Sequence, residues 1–251
     1  MLEIKNLSKT YNKGTDMEKQ ILNDFSLKIE EKTTLAIIGT NGCGKSTLMN
    51  LIGGNILADA GSISLDGKDL SNIKERKRSK YIARVYQDPS MGVCPSLTIL
   101  ENMALADNKN GVYNLSPLIK RDRINYYKDL LRPLDLNLEN IMDRKVKELS
   151  GGQRQSLSLV MAAMKNPKVL LLDEHTAALD PKTSKLVMEK TKDLIREKST
   201  TTIMITHKLA DALNYADRVV MLKDGHIYLD KKTKDLNLDD LENLYKEKEI
   251  Q

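Results

Sequence analysis

Thr34-Leu35-Ala36-Ile37-Ile38-Gly39-Thr40-Asn41-Gly42-Cys43-Gly44-Lys45-Ser46-Thr47 is the stretch on which the reading of this chain turns. Its first five residues are a short apolar run of the kind that forms a buried strand. From Gly39 the residues fit G-x-x-x-x-G-K-[ST], and Ser46 to Ile52 continues with helical spacing. Glycines let a backbone curl until several N–H groups face one anion, and the helix that follows adds the positive end of its dipole. Lys45 is long enough to reach outer phosphates, and the Ser46 hydroxyl is an oxygen ligand for Mg²⁺. The bare pattern arises in roughly one chain in a hundred of this length, judged from average residue usage. The strand before it and the helix after it make it selective. Gly39, Thr40, Asn41, Gly42, Cys43, Gly44, Lys45, Ser46 and Thr47 are therefore the candidate phosphate-binding residues.

A second element completes the same chemistry. Val169-Leu170-Leu171-Leu172-Asp173-Glu174 reads as a buried strand that delivers two carboxylates at its C-terminal end, the edge where open parallel sheets bind ligands. Asp173 suits a Mg²⁺ position, and Glu174 is placed to polarise an attacking water. Thr201 to Thr206 reads as a further strand ending at His207, whose imidazole would lie on the same edge.

Working outward, Leu2 and Ile4, then Phe25, Leu27 and Ile29, alternate with polar residues as half-buried strands do, with a polar loop over Asn12 to Lys19 between them. Ser62 to Leu65 is another such strand, closed by a turn at Asp66-Gly67. From about Pro89 to about Lys165 apolar residues recur at helical spacing, as in Ile124, Tyr127, Leu130 and Leu131. Buried strands then alternate with helices, including one expected over Lys185 to Glu197, which predicts a parallel sheet with crossovers. Val219 to Leu222 and His226 to Leu229 flank Asp224-Gly225 as a hairpin, and a terminal helix is expected from about Leu236. The expectation is one α/β chain. Residues 1–88 and 166–235 form a nucleotide-binding core with an N-terminal antiparallel β subdomain, 89–165 a helical subdomain, and 236–251 a C-terminal helix and tail.

Composition bounds the function class. Of 251 residues, 40% are apolar and 30% charged, which is ordinary for a globular chain, and the net charge of +5 is small and dispersed. No basic tract is present, so nucleic acid is not an expected partner. The two cysteines, Cys43 and Cys94, neither form a secreted-type framework nor have metal-ligand spacing. No apolar leader is visible, and no run approaches the roughly 20 residues of a membrane span. A cytoplasmic location is expected, with any membrane role coming through a partner.

Leu149-Ser150-Gly151-Gly152-Gln153 is a second glycine-rich helix start without a lysine. Together with the phosphate loop, the Asp173-Glu174 strand end and His207, it resembles the nucleotide-binding subunits of ABC transporters, over nearly the whole chain and in the family's order. That resemblance implies ATP and Mg²⁺ as ligands. It implies that Tyr11 stacks on adenine and that Gln87, in Tyr86-Gln87-Asp88-Pro89, reaches Mg²⁺ and the water while linking the two lobes. Ser150, Gly151, Gly152 and Gln153 resemble the signature that contacts the γ-phosphate of the other subunit. Ala178-Leu179-Asp180 resembles the loop crossing the dimer interface, and His207 the switch histidine. Members work as dimers with two ATP molecules between phosphate loop and signature. The implied partners are a second ATP-binding subunit (a homodimer), an integral membrane permease contacted near Met91 to Glu101, and an extracytoplasmic substrate-binding protein. The chain would then lie peripherally on the inner face of the membrane.

Two positions depart from the commonest family pattern. Cys43 stands where a small residue is usual, and redox-sensitive ATP binding is the expectation drawn from it. His175 stands where proline usually follows the glutamate. The runs Ala83 to Pro89 and Glu174 to Thr183 are similar to a subgroup that accompanies importers with a lipoprotein-type binding protein for aromatic amino acids such as tryptophan or tyrosine. The alternative in the same family is a soluble ATPase acting on ribosomes or DNA. Ribosome-associated members usually carry two cassettes, and DNA-repair members long coiled coils. Here about a hundred residues, without sustained heptads, separate loop and signature.

Overall fold

The computed structural model describes residues 1–108 and 117–246. The last five residues of the expected tail and the stretch 109–116 of the expected helical subdomain lie outside the described residues. The strands are β1 (Leu2–Tyr11), β2 (Lys19–Ile29), β3 (Thr34–Gly39), β4 (Ala60–Leu65), β5 (Lys68–Asp69), β6 (Ile82–Val85), β7 (Val169–Asp173), β8 (Thr201–Ile205), β9 (Arg218–Lys223) and β10 (His226–Lys232). The α-helices are α1 (Lys45–Gly53), α2 (Glu75–Arg78), α3 (Ile99–Asp107), α4 (Ile124–Leu131), α5 (Gly151–Ala163), α6 (Pro181–Lys198), α7 (Leu209–Tyr215) and α8 (Leu238–Lys246).

Two sheets result. One is antiparallel in the order β2-β1-β4-β5, and the other runs β10-β9-β3-β8-β7-β6. In the second, β6, β7, β8, β3 and β9 are mutually parallel and β10 closes the edge antiparallel to β9. Strict alternation assigns its side chains to two faces. Leu35, Ile37, Val169 and Leu171 join an apolar cluster shared with α1 and the antiparallel sheet. Ala36, Ile38, Leu170 and Leu172 join another with Leu159, Met188, Ala212 and Leu241 from α5 to α8. A sheet covered on both faces needs continuous apolar strands, which is why these segments read as runs rather than alternations. A third cluster, from Val93 to Met164, belongs to the helical segment. Both expected Asp-Gly turns are present, and Asp66-Gly67 and Asp224-Gly225 all have positive φ, as a twisted two-residue hairpin demands.

Several elements differ from the sequence expectation, among them the short β5 and α2, which it did not include. β6 was not anticipated, because its run of four is broken by Arg84. Helix α6 begins at Pro181 rather than Lys185, with Asp180 as N-cap accepting from the Thr183 N–H at 3.1 Å. That start was in the sequence as Asp followed by Pro, a cap and a first-turn residue. The expected strand ending at Thr206-His207 stops at Ile205.

Candidate functional site

The loop between β3 and α1 lies at the C-terminal edge of the parallel sheet, in its centre. Gly39 has φ 147°, and a Cβ there would meet the Leu222 carbonyl oxygen at 2.4 Å and Cys43 Sγ at 2.8 Å, so only glycine fits between β3 and β9. Gly44, at φ 108°, is the N-cap of α1. Thr40 is half-buried, Asn41, Gly42 and Ser46 are exposed, and Thr47 is half-buried at the first turn of α1. Lys45 is only 5% exposed. Its ammonium donates to the carbonyls of Gly39 at 2.7 Å and Thr40 at 2.9 Å, folding back over the loop. The Tyr245 hydroxyl on α8 donates to the same Gly39 oxygen at 3.1 Å.

Cys43 turns inward. It is 3% exposed, with Sγ 3.9 Å from Lys45 Nζ, and burial pushes its thiol above the ordinary value. The reactive thiolate is thereby scarce and shielded, against the expectation of redox-sensitive binding. Brief peroxide treatment is expected to leave nucleotide affinity unchanged. A loss of affinity in the wild type but not in Cys43→Ala would refute this.

The neighbouring strand ends bring the acidic residues and His207 to one place. Asp173 is the last residue of β7, and Glu174 follows with φ 44°. A non-glycine residue in the left-handed region costs roughly 1 kcal/mol or more and persists where the surroundings over-determine it. Here the Glu174 N–H donates to Ile205 O at 3.1 Å and its carbonyl accepts from Ala177 at 2.9 Å, which turns the side chain off the strand. His207, two residues beyond β8, approaches Glu174 Oε1 with Nε2 at 2.6 Å. A carboxylate only accepts, so Nε2 carries the hydrogen. Asp173 pairs instead with Arg84 on β6. Gln87 is exposed just past β6 and borders one cavity with Asp173, Arg84, Asn50 and Asn55.

His175, beside this pair, is wholly buried. The Thr191 hydroxyl already donates to Val187 O at 2.7 Å, so in the contact of His175 Nε2 with Thr191 Oγ1 at 3.2 Å the imidazole is the donor. Burial pushes its pKa down from 6.5 to about 4. Between those values the unfolded chain binds a proton that the folded chain refuses, so stability is complete above pH 6.5 and falls as pH drops toward 4. The full loss is roughly 3 kcal/mol at 1.36 kcal/mol per unit. His175→Gln is expected to remove that part of the acid sensitivity when urea midpoints at pH 7 and 4.5 are compared. An identical drop in wild type and variant would show that His175 does not carry it.

A second group of candidates assembles apart from the loop. Ser150 caps α5, accepting from the Gln153 N–H at 3.2 Å while its own N–H donates to Gln153 Oε1 at 3.0 Å, a capping box. Gly151 faces Leu179, and a Cβ on Gly152 would lie 2.3 Å from Thr183 Cγ2, so the start of α5 presses on the Ala178–Asp180 segment and α6. Ser150 and Asp180 are exposed. Tyr11 ends β1 opposite Lys19, with Lys9 Nζ 5.9 Å from its ring centroid. Its sheet reaches the loop through Ile21 and Leu22, which border Gly44. Sequence reasoning did not single out Arg84, Asn50 or Asn55 at the carboxylate edge; the signal for Arg84 was a lone cation inside a short apolar run.

A parallel sheet, a glycine loop at its centre and a helical segment bearing a second glycine start together make a phosphate-loop ATPase cassette, and comparison with known proteins agrees. The ABC transporter family profile matches residues 22–177. The chain is 49% identical over 94% of its length to a tyrosine transport ATP-binding protein of Clostridioides difficile, covering 93% of that protein. It is 36% identical to a spermidine/putrescine import ATP-binding protein of Haemophilus influenzae, with 98% of this chain spanning 61% of that longer one. It is 33% identical to a phosphonates import ATP-binding protein of a Ruegeria species, over 98% and 94%. Among solved structures, a dimeric ATP-binding cassette in a post-hydrolysis state bound to ADP and Pi superposes with a TM-score of 0.78 and 30% identity, over 93% of this chain and 99% of that one. This chain belongs to the ABC transporter family. It is an ATP-binding subunit and hydrolyses ATP.

Proposed function

We propose that this chain is the motor of an importer for amino acids or a similar small solute, with Glu174 and His207 at its hydrolytic centre. The observation that carries it is the 2.6 Å contact of His207 with Glu174 at the strand ends that flank the β3–α1 loop. In this reading the loop N–H groups and Lys45 bind the phosphates, the Lys45 ammonium exchanging its two loop carbonyls for phosphate oxygens. Glu174 accepts a proton from the attacking water as its oxygen bonds to the γ-phosphorus and the bond to the β-phosphate oxygen breaks, releasing ADP. His207 holds the carboxylate in line through Nε2–H. Positioning and charge stabilisation supply most of such a rate enhancement. Ser46, Gln87 and Asp173 offer hydroxyl, carboxamide and carboxylate oxygens, a hard-donor set that fits Mg²⁺. The ion, when bound, neutralises charge on the β- and γ-phosphate oxygens.

Tyr11 is assigned to the adenine face. Exposed Ser150, together with Gly151, Gly152 and Gln153, is assigned to the nucleotide of a second copy, with Asp180 at the dimer crossing. The same reading divides the chain at 89 and 166 into core and helical subdomain and keeps it peripheral on the cytoplasmic face. Among the described residues no helix is long and apolar enough to cross a membrane, and this reading assigns transport through the bilayer to a permease chain. The amino-acid assignment rests on the 49% identical relative. Relatives named for polyamines and phosphonates share the cassette, which fits a substrate chosen by partner chains.

The test is affinity purification from gently solubilised native membranes with identification of the co-purifying chains. A multi-span membrane protein with a lipid-anchored binding protein is expected, and calorimetry of that binding protein with tyrosine, tryptophan, spermidine and a phosphonate then separates the substrate classes. Recovery of ribosomal or DNA-associated chains alone would move the function to a soluble ATPase.

A further inference from the structure

Arg84 has no part in the chemistry described so far, yet it is the side chain paired with the Asp173 carboxylate. Strand β6 lies parallel to β7 with Arg84 opposite Leu171, so its side chain can run along the sheet edge to the end of β7. One terminal nitrogen, Nη2, bonds Asp173 Oδ2, while Nη1 donates to Asn50 Oδ1 on α1 at 2.7 Å and to Asn55 Oδ1 at 3.3 Å. The guanidinium lies 4.8 Å from the Tyr86 ring centroid, one residue before Gln87. Both ends of the ion pair are largely removed from solvent, at 12% exposure for Arg84 and 16% for Asp173. An apolar residue would serve the strand at less cost, since the buried Arg84 Nε–H finds no acceptor among the described residues.

We infer that Arg84 is the positioning residue of the metal site: it fixes the Asp173 carboxylate through Oδ2 so that Oδ1 is presented to Mg²⁺. The inference rests on the reading of Asp173 as a metal ligand given above. A planar fork anchored on Asn50 and backed by Tyr86 holds its direction, and it ties the carboxylate to the helix behind the phosphate loop and to the segment carrying Gln87. Outer partners of metal-binding carboxylates orient them, and removing one typically lowers metal affinity by about 10- to 100-fold. The other effect of Arg84 is repulsion between its charge and the metal. The pairing geometry makes orientation the larger one, because the guanidinium occupies a single oxygen and is itself held on two further elements.

The experiment measures binding of a fluorescent, non-hydrolysable ATP analogue to the full chain, first in EDTA and then across a Mg²⁺ titration. In Arg84→Met the affinity in EDTA is expected to stay within about twofold of wild type, because the loop and Lys45 are untouched. The Mg²⁺ concentration that half-restores full affinity is expected to rise about tenfold. Arg84→Lys, which keeps the charge and loses the fork, is expected to fall between the two. Should Arg84→Met lose the nucleotide in EDTA as well, the Arg84→Lys midpoint decides. An unchanged midpoint in Arg84→Met beside a raised one in Asp173→Asn overturns this inference alone. A lowered midpoint overturns it in favour of simple charge repulsion. An unchanged midpoint in Asp173→Asn overturns both the inference and the metal-ligand reading beneath it.

Discussion

Glu174→Gln is expected to bind ATP with near wild-type affinity and to turn it over on the order of 10²–10⁴-fold more slowly, the usual contribution of a positioned general base. The substitution is nearly isosteric, and its amide oxygen can still accept the His207 Nε2–H that Glu174 Oε1 accepts at 2.6 Å. The turn at Glu174 is set by main-chain bonds to Ile205 and Ala177, which an amide side chain leaves intact. Loss of turnover would therefore report the missing proton acceptor and not a displaced loop. Because nucleotide binding persists, the variant is expected to accumulate as an ATP-bound dimer, visible as a shift in gel filtration that appears with ATP and disappears with ADP. Wild-type turnover in this variant would remove Glu174 from the chemistry and leave the hydrolytic centre to be sought elsewhere on the strand edge.

The second large effect is expected on binding. Lys45→Ala should weaken ATP by roughly 100-fold, an estimate of about 2.8 kcal/mol at 1.4 kcal/mol per tenfold change, in line with truncating one partner of a buried charged contact. The ammonium that now donates to Gly39 O and Thr40 O is the only lysine head group in the loop. The fold should tolerate the change, because Gly39 O keeps the Tyr245 hydroxyl as donor at 3.1 Å. Isothermal titration with ATP, beside a thermal melt of the same sample, separates the two effects. Unchanged affinity at unchanged melting temperature would mean that the loop does not hold the phosphates.

Much of the fold was legible before any coordinates. The α/β class, the mostly parallel sheet and the antiparallel N-terminal sheet follow from runs such as Leu35 to Ile38 and Val169 to Leu172, and from the alternation of Leu2, Ile4, Leu27 and Ile29. Burial on two faces writes one pattern and burial on one face writes the other. β6 escaped because a four-residue strand carries too few residues to show a period once Arg84 interrupts it. The start of α6 escaped because its first turn is polar, so apolar spacing begins only after the cap has done its work. Within the candidate site, the loop residues announced themselves through local spacing. The inward turn of Cys43 did not, since a thiol in that position reads the same whether it faces Lys45 or solvent.

What the sequence determined by itself was therefore local: which backbone segments can curl around an anion, which strands must be covered on both sides, and where carboxylates end a buried run. The tertiary structure alone decided which charges meet. Arg84 and Asp173 stand 89 positions apart, and Glu174 and His207 follow the ends of different strands. Each pair meets only because β6, β7 and β8 lie side by side and in parallel register, so that their C-terminal ends deliver side chains to one edge. Backbone hydrogen bonding between strands sets that register, and no spacing along the chain encodes the distance it creates.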